Sequence, residues 1–419
     1  MLNSESGSSL AKIGLFLLLC TFLPITLRAQ SLEDLLQTAA RNNPQLQALE
    51  QEYRAELERV PQVGQLPEPE AMAGFFLLPV ETRVGAQRLR LGATQMFPWK
   101  GTLPAREAVV QAQARAKYEQ VAATRLDLFY QVKTAWLKLY ELEKSQAIVR
   151  RNLEIFQAME RFALSKVESG KGSAADVLRI QIKTQELEQE LRLLENAKAK
   201  PLAALNEALN RPPETPVTIT DSLQLAVIPY DRDTLLGYLS LHHPLVRMLA
   251  ARQEAAQNSI ALNHLEGKPS FGLGLDYILV DKRDNVELPD NGKDILSPRI
   301  AVRLPIYRKK YEAKEREEQL KIQALENRKQ QVLNQFIAAI QQAWSDRDDA
   351  ELRLQLYEQQ TRATRAALDI LETDYSTAGR NFDELLRLQS ELVEYDLKSL
   401  KAIVKSHLAK ATVERLVSF

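Results

Sequence analysis

The sequence predicts a mainly α-helical protein with a membrane β component: long coiled-coil helical hairpins, duplicated within the chain, plus four β-strands. Three observations predict it. Ala, Leu, Gln, Glu, Lys and Arg dominate while glycine is sparse, which is the composition of long helices. Two stretches, 104–169 and 309–377, keep a seven-residue apolar spacing. Landmark residues recur at an almost constant offset, so the chain reads as one unit written twice.

The landmarks are specific. Asn42-Asn43-Pro44 opens the first unit and His242-His243-Pro244 opens the second, 200 residues on. Met96-Phe97-Pro98-Trp99 is answered by Arg303-Leu304-Pro305-Ile306, an offset of 207. Trp136 is answered by Trp344, and Leu178-Arg179-Ile180-Gln181 by Leu386-Arg387-Leu388-Gln389, both 208 on. Helical composition makes any two segments look alike, but it does not place Pro and Trp. The first repeat spans 30–210 and the second 233–419. Between them, 211–232 is a linker: a proline-rich stop from Arg211 to Pro216, then Val217–Thr220 as a short strand or linker.

Residues 1–29 read as a secretory signal, with Lys12 in the positive region, Ile13 to Leu27 as the apolar core, and cleavage before Gln30. The sole cysteine, Cys20, lies inside this leader, and Leu19 before it is not the small residue a lipid anchor calls for. The mature chain then has no disulfide and no thiolate metal site. Lys+Arg and Asp+Glu are both 55, so the net charge is zero. That removes the footprint of a nucleic-acid binder. No later run of 18 apolar residues marks a membrane helix. An exported chain of this kind is periplasmic, secreted or a β-barrel.

Each unit opens with a helix of about 30 residues, 31–60 and 233–266, followed by strands. In the second unit Phe271, Leu273, Leu275, Tyr277 and Leu279 alternate with Gly272, Gly274 and Asp276, and Ile300, Val302 and Leu304 alternate with Arg299, Ala301 and Arg303. In the first, Leu89, Leu91 and Ala93 alternate with Arg88, Arg90 and Gly92. Period two with one polar side is a half-buried strand. The barrel strands fall at about 70–97 and 270–306, the first of them (70–81) apolar on both sides. Asp281 to Gly292 is a turn-rich loop.

The long helices follow. In 104–169, Val132, Leu139, Leu153 and Val167 form one apolar row, and Leu142, Val149, Phe156 and Ala163 a second. In 309–377 the row is Trp344, Leu352, Leu356, Ala363 and Ile370. Each helix would run roughly 100 Å at about 1.5 Å per residue, too long for an ordinary globular core. After glycine-containing turns, helices 173–210 and 382–417 return, with Pro201 kinking the first. In each unit the two shorter helices together match the long one, so they stack end to end along it.

Strands of about ten residues suit a tilted crossing of a bilayer. Four cannot close a barrel, and an open edge in lipid leaves backbone groups unsatisfied. The chain must therefore oligomerise if the strands insert. Three copies give a closed twelve-stranded barrel with an aqueous lumen.

With these openings, strand exits and paired hairpins, the mature chain resembles the TolC-like outer-membrane efflux protein family. The resemblance includes Tyr375-Ser376-Thr377-Ala378-Gly379-Arg380, similar to that family's Tyr-Ser-x-Gly-x-Arg turn with the glycine displaced by one. It implies a homotrimer in the Gram-negative outer membrane, with a twelve-stranded barrel continued by a twelve-helix periplasmic tunnel. It implies docking on a periplasmic adaptor and an inner-membrane pump of the RND or ABC type, in efflux or type I secretion. At the tip it implies that Tyr375 and Arg380 of the second hairpin contact Asp176 of the first, holding the entrance closed. Glu384, with Asp383 adjacent, falls at one of the family's acidic lumen positions. Arg387 stands where a second acid is expected, which puts cation selectivity in question.

Other candidates are fewer. Trp99 and Tyr307, at the strand exits, suit interfacial anchors or packing at the barrel–helix junction. His242, His243, His264 and His407 lack ligand spacing, and no phosphate loop, nucleophile triad or metal motif occurs, so neither enzyme activity nor a cofactor is expected. The alternative reading is a periplasmic coiled-coil adaptor or scaffold. The sequence does not name the cargo.

Overall fold

A computed structural model describes residues 31–378 and 381–417. The predicted signal segment therefore lies outside the described residues. The elements are α1 (Leu32–Asn42), α2 (Pro44–Val63), β1 (Glu70–Thr82), β2 (Gly85–Phe97), α3 (Thr102–Glu168), α4 (Ala174–Ala197), α5 (Ala199–Ala208), α6 (Arg232–His242), α7 (Pro244–Glu266), β3 (Ser270–Val280), β4 (Ile295–Arg303), α8 (Arg308–Ala378) and α9 (Phe382–Leu416). No described helix is long and apolar enough to cross a membrane.

The opening helices differ from the expected single 30-residue spans. Each is broken in two, at Asn43 and at His243, both extended. The cause is Pro44 and Pro244: proline disfavours the helical conformation at the residue before it and suits the first helical position after it. Asn43 accepts a hydrogen bond from the Leu46 N–H at 3.1 Å, and the His243 Nδ1 accepts one from Leu245 N–H, also at 3.1 Å. The two residues therefore do the same work as helix N-caps. The returning segment 173–210 is also divided, at Lys198, with Pro201 buried in the first turns of α5.

Helix α3 is the column of the molecule. Its 67 residues pack against α2 and α7 toward the sheet and against α4 and α9 toward the far end. Val132, Leu139, Leu142, Val149, Phe156 and Ala163 of the expected rows are all buried. Near mid-length, Trp136 stacks on Tyr140, and Leu35, Leu46, Leu205 and Leu209 close around them. Residues 217–220 form no strand. The linker crosses the helices instead as an irregular strap, with the Leu223 N–H donating to the Tyr140 hydroxyl (3.0 Å) and the Ala226 N–H to Ser406 Oγ (2.9 Å). Its entry is shaped by the fully buried Asn206, which donates to the carbonyls of Pro213 and Thr215 at 2.7 and 2.9 Å.

Helix α8 departs from expectation in one respect. Its buried residues include Phe336, Ile340, Ala343, Ala350, Leu368 and Tyr375, facing α9 and α7. Of the row read from sequence, Trp344 packs half-buried beside Ile340, but the rest faces outward: Leu352 is 67% exposed and Ile370 66%. Period alone identifies apolar rows but does not say which partner each row meets.

The strands form one antiparallel sheet in the order β1-β2-β3-β4, leaving β1 and β4 as unpaired edges. Register places Leu91, Tyr277 and Leu296 in one row, then Leu273 with Ile300, then Phe271 with Val302, all on one face. That face is open: Leu273 is 60% and Ile300 75% exposed. In β1 the pairing slips between Phe75 and Val80. The consecutive Leu77 and Leu78 are both exposed there, which accounts for a strand apolar on both sides.

Two stability predictions follow from the helical part. His243 packs on Phe336 and is held neutral, its pKa lowered to about 4, chiefly by burial and against the pull of Asp127. A histidine depressed below its unfolded value destabilises the fold as pH falls from about 6.5 toward 4, by about 2.5 kcal/mol at pH 4.5. His243→Asn keeps a capping side chain and removes the titration. Melting followed by circular dichroism between pH 7 and 4.5 should lose that part of its acid slope. Separately, Gln389 donates to Asn152 at 3.1 Å in the buried seam between α9 and α3. Asn152→Leu alone should cost about 1–3 kcal/mol, because it strands the amide of Gln389, and the double change to leucine should recover most of that loss.

Candidate channel sites at the hairpin tips and on the sheet

At the end of the helices away from the sheet, the α3–α4 turn and the start of α4 lie beside the end of α8 and the start of α9. Tyr375 is 4% exposed, with its ring against Phe162 and Phe382 and its hydroxyl without a hydrogen-bond partner among the described residues. Its phenol is pushed up in pKa by burial and then by the nearby Asp176 carboxylate. Asp176 is itself buried, its pKa raised chiefly by loss of solvent, with Arg179 opposing and Asp383 reinforcing the shift. A raised carboxyl disfavours the tip while charged, so its contribution improves as pH falls through the raised value. Tyr375 and Asp176 are thus neighbours without a direct bond. Arg380 lies outside the described residues.

Two ties between the hairpins were not foreseen from sequence. Arg179 bridges Asp176 at 3.5 Å on its own helix and Asp383 at 2.5 Å on α9. Lys166 donates to the Ser376 carbonyl at 2.7 Å. Asp383 is therefore committed to a neighbouring helix rather than standing free. Arg387 pairs with Glu384 one turn back and with Glu391 one turn on, the latter at 2.7 Å. The departure at Arg387 is thus neutralised within α9, and the triplet keeps one net negative charge. Sequence reasoning missed Arg179 because an Asp–Arg pair three apart looks like a solvated helix face. Only the approach of α9 gives it a second partner.

The sheet carries a second constellation. On the face opposite the apolar one, Arg90, Asp276 and Arg299 come together. Asp276 meets Arg90 at 2.7 Å and Arg299 at 3.7 Å, and Arg299 also donates to Thr94 at 2.7 Å. Two glycines make the room. A Cβ at Gly92 would collide with the Asp276 carboxylate, and one at Gly274 would stand 2.8 Å from the Thr94 hydroxyl. Two arginines thus share one buried carboxylate, leaving a positive excess. Trp99 and Tyr307 sit where the strands meet the helices, Trp99 with its ring centre 6.2 Å from that of Phe271 and Tyr307 largely exposed.

A sheet with one mainly apolar face, on which Gln95 is the polar exception, set on helices of about 100 Å, is also the fold of several solved outer-membrane channels. Among solved structures, the chain is similar to the outer-membrane channel OprN, with a TM-score of 0.75 and 16% identity over 92% of this chain and 89% of that one. It is similar to the outer-membrane protein VceC of Vibrio cholerae, with a TM-score of 0.71, 17% identity, and 92% and 95% covered. The open-state MtrE outer-membrane channel of Neisseria gonorrhoeae gives a TM-score of 0.73 and 16% identity, with 92% and 88% covered. No family model and no curated protein matches the sequence.

If the cross-hairpin tie holds the tip narrow, Arg179→Ala and Asp383→Ala should each raise single-channel conductance in planar bilayers, and the double variant should add little to either. Exposed pairs contribute only about 0–1 kcal/mol each, so the expected change is a shift in the closed fraction of up to about fivefold. Conductance unchanged in both variants would remove the tie from any account of the entrance.

Proposed function

We propose that the protein is an outer-membrane channel-tunnel, the passive exit duct of an efflux or type I secretion assembly. The observation that carries this reading is the open four-stranded sheet with one exposed apolar face. In water that face would be a large unsatisfied patch. In lipid it is satisfied, but the edges β1 and β4 then need partners. Three copies joined edge to edge give twelve strands and a polar lumen lined by the face that bears Arg90, Asp276 and Arg299. The exposed row Leu352, Leu356 and Ile370 on α8 supports the same assembly, since a neighbouring copy would cover it.

On this reading the two repeats, 30–210 and 233–419, are halves of one wall. The helices form a twelve-helix periplasmic tunnel whose tip meets a periplasmic adaptor and an inner-membrane pump. Tyr375, Asp176 and Arg380, with Arg179 added, form the entrance contacts. Glu384 contributes an acidic ring that Arg387 moderates. The similar solved structures named as outer-membrane channels support the location and the role. A soluble periplasmic adaptor or scaffold has no use for the apolar sheet face.

Expressed with its full sequence in a Gram-negative host, the protein should be recovered in the outer-membrane fraction and run as a trimer on an unheated gel. Leu273→Arg places a charge on the lipid face at a cost of about 2–4 kcal/mol per chain and should deplete that trimer, whereas Leu273→Ile should not. Recovery of the unmodified protein in the soluble periplasm would overturn the barrel.

A further inference from the structure

The channel reading gives no role to the open cleft between the base of the sheet and the flanking helices. Its volume is about 370 Å³, a size typical of small-molecule sites. Besides Arg106, three cations line it, Lys268, Arg303 and Lys310, together with the rings of Trp99, Tyr307 and Tyr311. Among the described residues none of these three has a carboxylate within ion-pair distance. The carboxylate on that wall, Glu266, is taken by Arg106 at 2.9 Å. The Lys310 ammonium lies instead 4.6 Å from the centre of the Tyr311 ring. Thr102, 2% exposed, lines the same cavity, and its hydroxyl has no hydrogen-bond partner among the described residues.

Strand register decides which side the cavity serves. Ser270 pairs with Arg303, and these residues fall on the same face as Asp276 and Arg299. Met96, also at the cavity, falls on the face of Gly92 and Thr94. This is the face opposite the apolar one, so on the channel reading the strand residues of the lining, Arg303 among them, face the lumen, while Trp99 on the far wall lies against Phe271 of the apolar face. Farther along the same face, Arg90 and Arg299 share Asp276, so the positive excess continues toward the outer end.

Unpaired cations around aromatic rings, with a spare buried hydroxyl, match a ligand that has an anionic head and a flat apolar body. Each cation gains a charge-assisted hydrogen bond to the head while the rings cover the body. We propose that this cavity is a binding station for anionic aromatic amphiphiles. The proposal rests on the channel reading.

The test uses the full-length trimer held in amphipol, titrated calorimetrically with naphthalene-1-sulfonate and with trimethyl(1-naphthyl)ammonium as a cationic isostere. The sulfonate should bind saturably, once per chain, and more weakly as salt rises, while the cationic isostere should show no saturable binding. The Lys268→Gln/Lys310→Gln double variant should lose about tenfold in sulfonate affinity. Both lysines are exposed, so the variant trimer should form; if it does not, Lys268→Gln alone should lose about threefold. Equal binding of the two isosteres, or wild-type affinity in the lysine variants, overturns the station. The fractionation and unheated-gel results are read separately. A trimeric outer-membrane protein that does not bind the sulfonate defeats this inference and leaves the channel reading standing.

Discussion

The seam along α3 is the interaction on which the rest depends. Val132, Val149, Phe156 and Ala163 recur at a spacing that keeps one side of a 67-residue helix in contact with its neighbours. No single partner matches that length. The seam is covered in relay, by α2 and α7 near the sheet and by α4 and α9 toward the tip. Breaks in the shorter helices, at Asn43, His243 and Lys198, can therefore occur without interrupting the column. A rigid column also fixes two distant sites at opposite ends, the sheet and the hairpin turns.

Charge is handled differently at those two ends. At the tip, acids outnumber bases around Arg179 and Arg387, and each arginine is shared between two carboxylates. On the polar face of the sheet the ratio is inverted: Asp276 is shared between two arginines. Sharing is what makes the buried Asp276 carboxylate tolerable, because an unpaired buried charge costs far more than a pair, whereas the arginine pairs at the tip are largely exposed. It also leaves a residual sign at each end, negative at the tip and positive on the sheet. A molecule moving along such a wall would meet a field that changes sign.

Much of this was legible in the sequence because it is written in period and punctuation. The seven-residue rows of α3, the alternation in β2, β3 and β4, and the paired asparagine–proline and histidine–proline openings each encode local geometry directly. The first strand was harder to read, since the slip between Phe75 and Val80 exposes both of its faces. The row at Leu352 and Ile370 reads as apolar in the sequence, but period carries no information about partners, and within one chain these two residues stay exposed. The Arg179–Asp383 bridge spans 204 positions and the Arg90–Asp276 bridge 186, distances at which no local pattern speaks.

What the sequence determined by itself is the inventory of elements: long amphipathic helices, strands with apolar residues at alternate positions, and prolines at helix starts. Backbone sterics and burial period fix these residue by residue. What only the tertiary structure decided is which charges meet. Strand order sets Asp276 between Arg90 and Arg299, helix packing carries Asp383 to Arg179, and the junction gathers Lys268, Arg303 and Lys310 around three aromatic rings. Long side chains on exposed faces have no local preference for a partner, so their pairing waits until the backbone has brought distant segments together.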